Sequence, residues 1–414
     1  MVIKHSILYV LSSVFSKAIP FLLLPILTHY LNPTEFGQFS IFQVILAFAI
    51  ALFGMNIQTN ITVNYFRVNK EKLSLFFGNI LLILLCNSFL LFVFLLVYGY
   101  YSSSIFSISI EYIYFLPLLI LFTVIVEIYT SLLRSQKKVI SFVVVEVLST
   151  VLRFTLVSLL IVYFALGWES FLIGSIITLM LFSIYSIYSL YRQNYIDIKY
   201  NKKIIKSILL LSIPLIPHAI GGMVIAMSDR LFIEQIVGIK EVGIYAVGYS
   251  FGMIVSLFSD AFVKAWSPWF YEKMNNLNEV SKSQIVKATY LYMIFILLLS
   301  IVIYLISLFL IPFMTSTEYH SATKYVFWIA LAYSIQGIYK IFFPYLVHFS
   351  KTKYLAITTL LAAILSFIGN YFFINQYGAV GAAYSTILAF IVNSIGVAFI
   401  AMKQVKLPWL IFFK

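Results

Sequence analysis

The chain has 414 residues, 63% of them hydrophobic and only 10% charged, which leaves too little polar surface for a water-soluble globule and excludes a soluble enzyme or binding module. Its one cysteine, Cys86, excludes a disulfide framework or a Cys-based metal centre within a single chain. The formal net charge of +13 has to be read by position, because basic loops orient membrane spans and do not by themselves call for nucleic acid.

Apolar runs of about 20 residues, the length of a helix crossing a hydrocarbon core of roughly 30 Å, recur from end to end, without the dyad alternation of a barrel. Twelve spans are predicted: 6–30, 39–61, 76–98, 112–133, 139–163, 168–190, 207–236, 242–267, 286–312, 325–346, 354–374 and 379–402. The first carries Lys17, Pro20 and Pro25 and is too long for a cleavable leader, so it is expected to stay as a span. Glu35-Phe-Gly-Gln-Phe follows it, and Glu35 reads as a loop or helix-cap residue in a Glu-x-Gly turn. Span 4 holds Glu127, and span 5 holds Glu146 and Arg153.

The longest polar break, Tyr191 to Lys206, lies at the middle of the chain and links two expected six-helix bundles, 1–198 and 199–414. Span 7 contains Pro214, Pro217, His218, Asp229 and Arg230, and Glu241-Val-Gly-Ile-Tyr after it echoes the Glu35 segment at an offset of 206. Span 8 contains Asp260 and Lys264 and runs into Ala265-Trp-Ser-Pro-Trp-Phe-Tyr, where Trp266 and Trp269 read as anchors in the membrane interface. Span 10 holds Lys340, and the basic turn after it, His348 to Lys353, echoes Arg134 to Lys138 after span 4. Repeats with an even number of spans insert the same way up, as in several transporters.

With the N-terminus in the cytoplasm, twenty of the 27 Lys and Arg fall in cytoplasmic segments, two in outer segments and five inside spans. That bias predicts an even span number and both termini inside. No GxxxxGK[ST], HExxH or CxxC motif occurs, which argues against an ATP-driven pump, a zinc hydrolase and a redox protein, and no metal ligand set or cofactor is expected.

Ionisable groups inside a membrane cost about 2.5–3.5 kcal/mol each at mid-bilayer on insertion scales and have to face a cavity or a partner. The cations are Lys17, Arg153, Arg230, Lys264 and Lys340, with His218 titratable near neutral pH, and the anions are Glu127, Glu146, Asp229 and Asp260. Asp260 with Lys264, and Glu146 with Arg153, are spaced to pair along one helix. A wet chamber with surplus cation binds phosphate, so the cations are expected to hold an anionic substrate. The carboxylates and His218 are candidates for charge pairing or ion coupling. Pro20, Pro25, Pro214 and Pro217 kink the first helix of each half, where a gate would bend.

Ile213-Pro-Leu-Ile-Pro-His-Ala, Ser228-Asp-Arg-Leu-Phe-Ile, Phe262-Val-Lys-Ala-Trp-Ser-Pro-Trp-Phe and Gly378-Ala-Val-Gly-Ala-Ala-Tyr-Ser-Thr resemble the polysaccharide transporter branch of the multidrug/oligosaccharidyl-lipid/polysaccharide (MOP) exporter superfamily. The chain is similar to O-antigen and capsular repeat-unit flippases over its whole length. The resemblance implies an all-α membrane protein with twelve transmembrane helices in two bundles forming a V. It implies alternating access, an undecaprenyl-diphosphate-linked oligosaccharide as cargo, and a place in the bacterial cytoplasmic (inner) membrane. Membrane lipids, and a polysaccharide polymerase and glycosyltransferases of the same pathway, are the implied partners. Coupling to H+, Na+ or the membrane potential is left open. The alternatives are an ion-coupled drug exporter of the same fold and a membrane-embedded glycosyltransferase or polymerase. Drug exporters of the superfamily carry acidic groups in the core, whereas span 1 presents Lys17, and the two extra spans of lipid II flippases are missing.

Overall fold

The computed structural model of the protein describes residue 15 and residues 19–409, the side chain of His218 excepted. Lys17 therefore lies outside the described residues, and the first predicted span is described only at residue 15 and from residue 19 on. Its last two turns form α1 (Leu24–Tyr30), which has Pro25 in its first turn. Asn32 and Glu35 then close a reciprocal capping box on α2 (Pro33–Phe53), the Asn32 side chain accepting from Thr34 and Glu35 N–H while Glu35 accepts from Asn32 N–H at 3.0 Å. Of the two readings of Glu35, loop or helix cap, the cap is the one the structure has.

After α2 come α3 (Thr59–Asn64) and α4 (Lys70–Tyr101). A two-stranded hairpin, β1 (Ser104–Ile105) with β2 (Ile108–Ser109), pairs Ser104 with Ser109 and Ile105 with Ile108. It leads through α5 (Ile110–Ile113) into α6 (Leu116–Ser135), α7 (Val139–Phe164) and α8 (Glu169–Arg192). Next comes α9 (Lys202–Ser212), which is separated from α10 (Ile216–Ile236) by a single 3-10 turn, Ile213–Leu215, carrying Pro214. Pro217, the second residue of α10, lacks the N–H that would continue the hydrogen-bond ladder across this break. The remaining elements are α11 (Ile239–Gly252), α12 (Ile254–Asn275), α13 (Glu279–Met314), a 3-10 turn at Thr317–Ala322, α14 (Thr323–His348), α15 (Thr352–Tyr377) and α16 (Val380–Gln404).

Among the described residues ten helical stretches are long and apolar enough to cross a membrane, and α9 with α10 makes an eleventh, broken one. Each coincides with one of the predicted spans 2 to 12. Only 22% of the most apolar window of α7, and 28% of those of α4 and α13, is buried inside the protein. Large side chains such as Phe89, Phe94 and Phe309 stand mostly out of the fold. Water would not tolerate so much continuous apolar surface, whereas lipid solvates it, so the chain is a multi-pass helical membrane protein.

Packing divides the chain into one unit up to Ile220 and a second from Gly221. In the first, α9 belongs with α3 and α4: Asn60 Nδ2 donates to Ser212 Oγ at 2.9 Å. The polar segment before α9 is strapped across α4. Buried Asn79 donates to Lys199 O at 3.0 Å and accepts from Asn201 N–H at 2.9 Å, and Asp197 N–H donates to Ser74 O at 3.2 Å. The strap comes so close that a Cβ on Gly78 would sit 1.9 Å from Asp197 O. In the second unit small residues let α15 and α16 approach closely, with Ala362, Ala363 and Ala389 in the core and Gly381 against Phe373 O.

Candidate functional site

In the first unit Arg153 sits midway along α7, partly buried, with its guanidinium 5.1 Å from the centroid of the Phe154 ring. Among the described residues no carboxylate comes within 4.0 Å of it. The pairing expected with Glu146, seven residues earlier, does not form, because seven residues carry the two side chains almost two turns apart along the helix, beyond salt-bridge reach. Glu146 is itself partnered elsewhere. Glu127 on α6 is half-buried and makes no salt bridge among the described residues; one turn on, Thr130 Oγ1 donates to its backbone carbonyl at 3.1 Å. Pro20 and Pro25 lie at the described end of the first span, Pro20 exposed and Pro25 partly buried.

The second unit holds a connected buried network. Asp229 on α10 is 1% exposed, accepts from Tyr245 OH of α11 at 2.7 Å and from Arg230 N–H at 2.8 Å, and lies 3.6 Å from Arg230 Nη1. The Arg230 guanidinium also donates to Ala226 O at 3.3 Å and stands 4.3 Å from the centroid of the Tyr249 ring, a cation–π contact. Tyr249 OH donates to Ala226 O at 2.8 Å and meets Tyr333 OH of α14. The charge of Arg230 is therefore taken up inside its own unit, and the network ties α10, α11 and α14 together. Tyr245, Tyr249 and Tyr333 were not singled out from sequence, although Glu241, Tyr245 and Tyr249, spaced four apart, form a polar stripe on one helix face.

Lys340 on α14 donates to Asp260 on α12 at 2.7 Å, with side chains 21% and 35% exposed. The local pairing of Asp260 with Lys264 gives way to this cross-helix bridge. Lys264 is exposed and makes no salt bridge among the described residues. Trp266 is a correction to the sequence reading: it is 4% exposed and donates its Nε1–H to Ile341 O at 3.1 Å, so it is a core residue and not an interface anchor. The carbonyl it caps lies just before Pro344, where the proline ring disturbs the ladder of α14. Glu241, like Glu35 the third residue of its helix, accepts from Tyr325 OH and bridges to Lys324 at 2.9 Å. Lys17 and the His218 side chain lie outside the described parts of the molecule. The structure thus brings together Asp229 with Arg230 and Asp260 with Lys340, and leaves Arg153 and Lys264 without a carboxylate among the described residues.

The family model described as "Polysaccharide biosynthesis protein" matches residues 2–274. The chain belongs to the polysaccharide biosynthesis protein family. Within reach of this family member is "Lsg locus putative protein 1" of Haemophilus influenzae, 25% identical over 382 residues, which cover 88% of this chain and 89% of that protein. Among solved structures, the lipid II flippase MurJ in an inward closed conformation superposes with a TM-score of 0.73 at 17% identity, over 96% of this chain and 87% of that one. An inward-facing multidrug resistance MATE family transporter of the MOP superfamily gives 0.72 at 13% identity, over 94% of each chain. The chain therefore has the MOP transporter fold expected from its motifs. Its structural neighbours are transporters and a flippase rather than enzymes.

Proposed function

We propose that the protein is a flippase that carries an undecaprenyl-diphosphate-linked oligosaccharide, an O-antigen or capsular precursor, from the cytoplasmic to the outer leaflet of a bacterial inner membrane. The observation that carries the reading is Arg153, a guanidinium inside a span with no carboxylate near it among the described residues. Such a group is costly in a bilayer unless an anion visits it, and its planar fork suits a diphosphate. Lys264 adds a charge with no salt bridge among the described residues, while Arg230 and Lys340, each held by its own aspartate, position helices instead of binding cargo. With the polyprenyl tail left in lipid and the two six-helix halves alternating, an inside-negative potential favours export: two negative charges moved outward gain about 4.6 kcal/mol per 100 mV.

A second reading, ion-coupled export of a cationic drug, is favoured by Glu127 alone, a half-buried carboxylate with no salt bridge among the described residues. One experiment separates the two. Purified protein in liposomes is given a fluorescent undecaprenyl-diphosphate oligosaccharide, and its exposure to an external lectin is followed. Arg153→Gln removes a charge-assisted contact of about 1.5–3 kcal/mol, so the flipping rate is expected to fall roughly ten- to hundred-fold, with Arg153→Lys in between. Flipping by Arg153→Gln at the wild-type rate removes the phosphate-binding role. Efflux of a cationic dye that is lost only in Glu127→Gln supports the drug exporter.

A further inference from the structure

Helices α7 and α8 are antiparallel neighbours, and at the end where α7 begins and α8 finishes they part to leave a groove of 460 Å³. Ile140, Val144 and Leu148 of α7 and Leu181, Phe182 and Tyr185 of α8 line it, and Ile140 and Val144 are 75% and 50% exposed among the described residues. From Ile140 to Leu148 the groove is about 12 Å long at 1.5 Å per residue, close to one leaflet of a hydrocarbon core roughly 30 Å thick.

Its mouth is basic. Lys137 and Lys138 join α6 to α7, and Lys138 Nζ donates to Gln193 Oε1 at 3.4 Å, which sets it beside Arg192 at the end of α8. All three cations are exposed, and among the described residues none is in a salt bridge. Lys137 has a φ of +58°, in the left-handed region, where glycine or asparagine would be the easier choice at a helix end, so a charged residue stands there at a conformational cost. The basic-loop count assigns this end to the cytoplasm.

We propose that the groove binds an anionic phospholipid of the cytoplasmic leaflet, with one acyl chain between α7 and α8 and the phosphate against Lys137, Lys138 and Arg192. Basic pockets between spans on the cytoplasmic side recognise acidic headgroups. The one-leaflet depth fits an acyl chain rather than a polyprenyl tail, which would run on past Leu148. The site is separate from Arg153 and does not depend on which cargo is flipped.

Native mass spectrometry of the purified full chain, with phosphatidylglycerol and phosphatidylcholine of matched chains, tests it. Phosphatidylglycerol is expected to form a saturable adduct that phosphatidylcholine does not displace. Lys137→Asn, Lys138→Ala and Arg192→Ala together should weaken it on the order of a hundred-fold, at roughly five-fold per cation. Asparagine is chosen at 137 because it tolerates the left-handed backbone. Val144→Trp, which fills the groove and leaves the charges in place, should abolish the same adduct and serves if the triple variant does not fold. Undiminished phosphatidylglycerol binding in Val144→Trp, equal binding of phosphatidylcholine by the wild type, or displacement by undecaprenyl diphosphate would each overturn the proposal.

Discussion

Removing the Asp229 carboxylate should be among the most damaging single changes in the second unit. Asp229 is 1% exposed, and the Arg230 side chain beside it is 11% exposed. In Asp229→Ala the guanidinium loses its counter-charge and Tyr245 OH loses its acceptor. Truncating one member of a buried ion pair costs about 3–5 kcal/mol, chiefly because the other charge stays behind unpaired. For a unit of this size, where 1 kcal/mol shifts a melting temperature by about 2–4 °C, the drop is on the order of 10 °C. Tyr245→Phe removes only the hydrogen bond to the carboxylate, about 1.5–3 kcal/mol. Asp229→Ala combined with Arg230→Met removes both charges and should recover much of the loss. Heating these three detergent-solubilised variants, with Arg230→Met alone as the fourth, and measuring the monodisperse fraction by size-exclusion chromatography ranks all four. A melting temperature of Asp229→Ala within about 2 °C of wild type, or a double variant as low as the sum of its singles, would refute the pair as a mutually dependent unit.

The Asp260–Lys340 bridge is partly exposed, so a double-mutant cycle with alanine at both positions should return a coupling of about 1 kcal/mol or less; a larger value would mean the pair is more desolvated than its geometry indicates. Trp266→Phe keeps the packing and loses the contact to Ile341 O, costing about 1 kcal/mol, whereas Trp266→Ala should cost about 3–5 kcal/mol. A Trp266→Phe variant as stable as wild type would remove the hydrogen bond from the account, and equal losses in the two variants would remove the packing. Gly78→Ala should dislodge the strap at Asp197 and open residues 193–201 to limited proteolysis, while Gly222→Ala, with nothing among the described residues within 4 Å of the new Cβ, should be neutral or slightly stabilising.

Spans 2 to 12 were legible because apolar length is a local property and lipid tolerates no unpaired backbone between them. Glu35 was legible for the same reason, since a capping box is written within four residues. The pairings were not. Asp260 found Lys340, 80 residues away, and not Lys264 one turn on; which helix faces which is decided by packing that one segment does not encode. Trp266 misled because tryptophan beside a polar turn so often marks the interface. The helical spacing of the apolar Val255, Trp266, Phe270 and Met274, every one buried, carried the signal that would have placed it inside. The polar segment at mid-chain read as a tether because it is long and charged; only the contacts of Asn79 and Gly78 reveal that it is fastened to α4.

That fastening bears on how the protein could be made in pieces. A chain divided at 198/199 would hand α9 to the second fragment, yet the groups that Asn201 and Ser212 bond to, Asn79 and Asn60, stay with the first. Two polypeptides synthesised separately would therefore carry a ready-made clasp, and co-expression should reunite them without any engineered dimerisation tag.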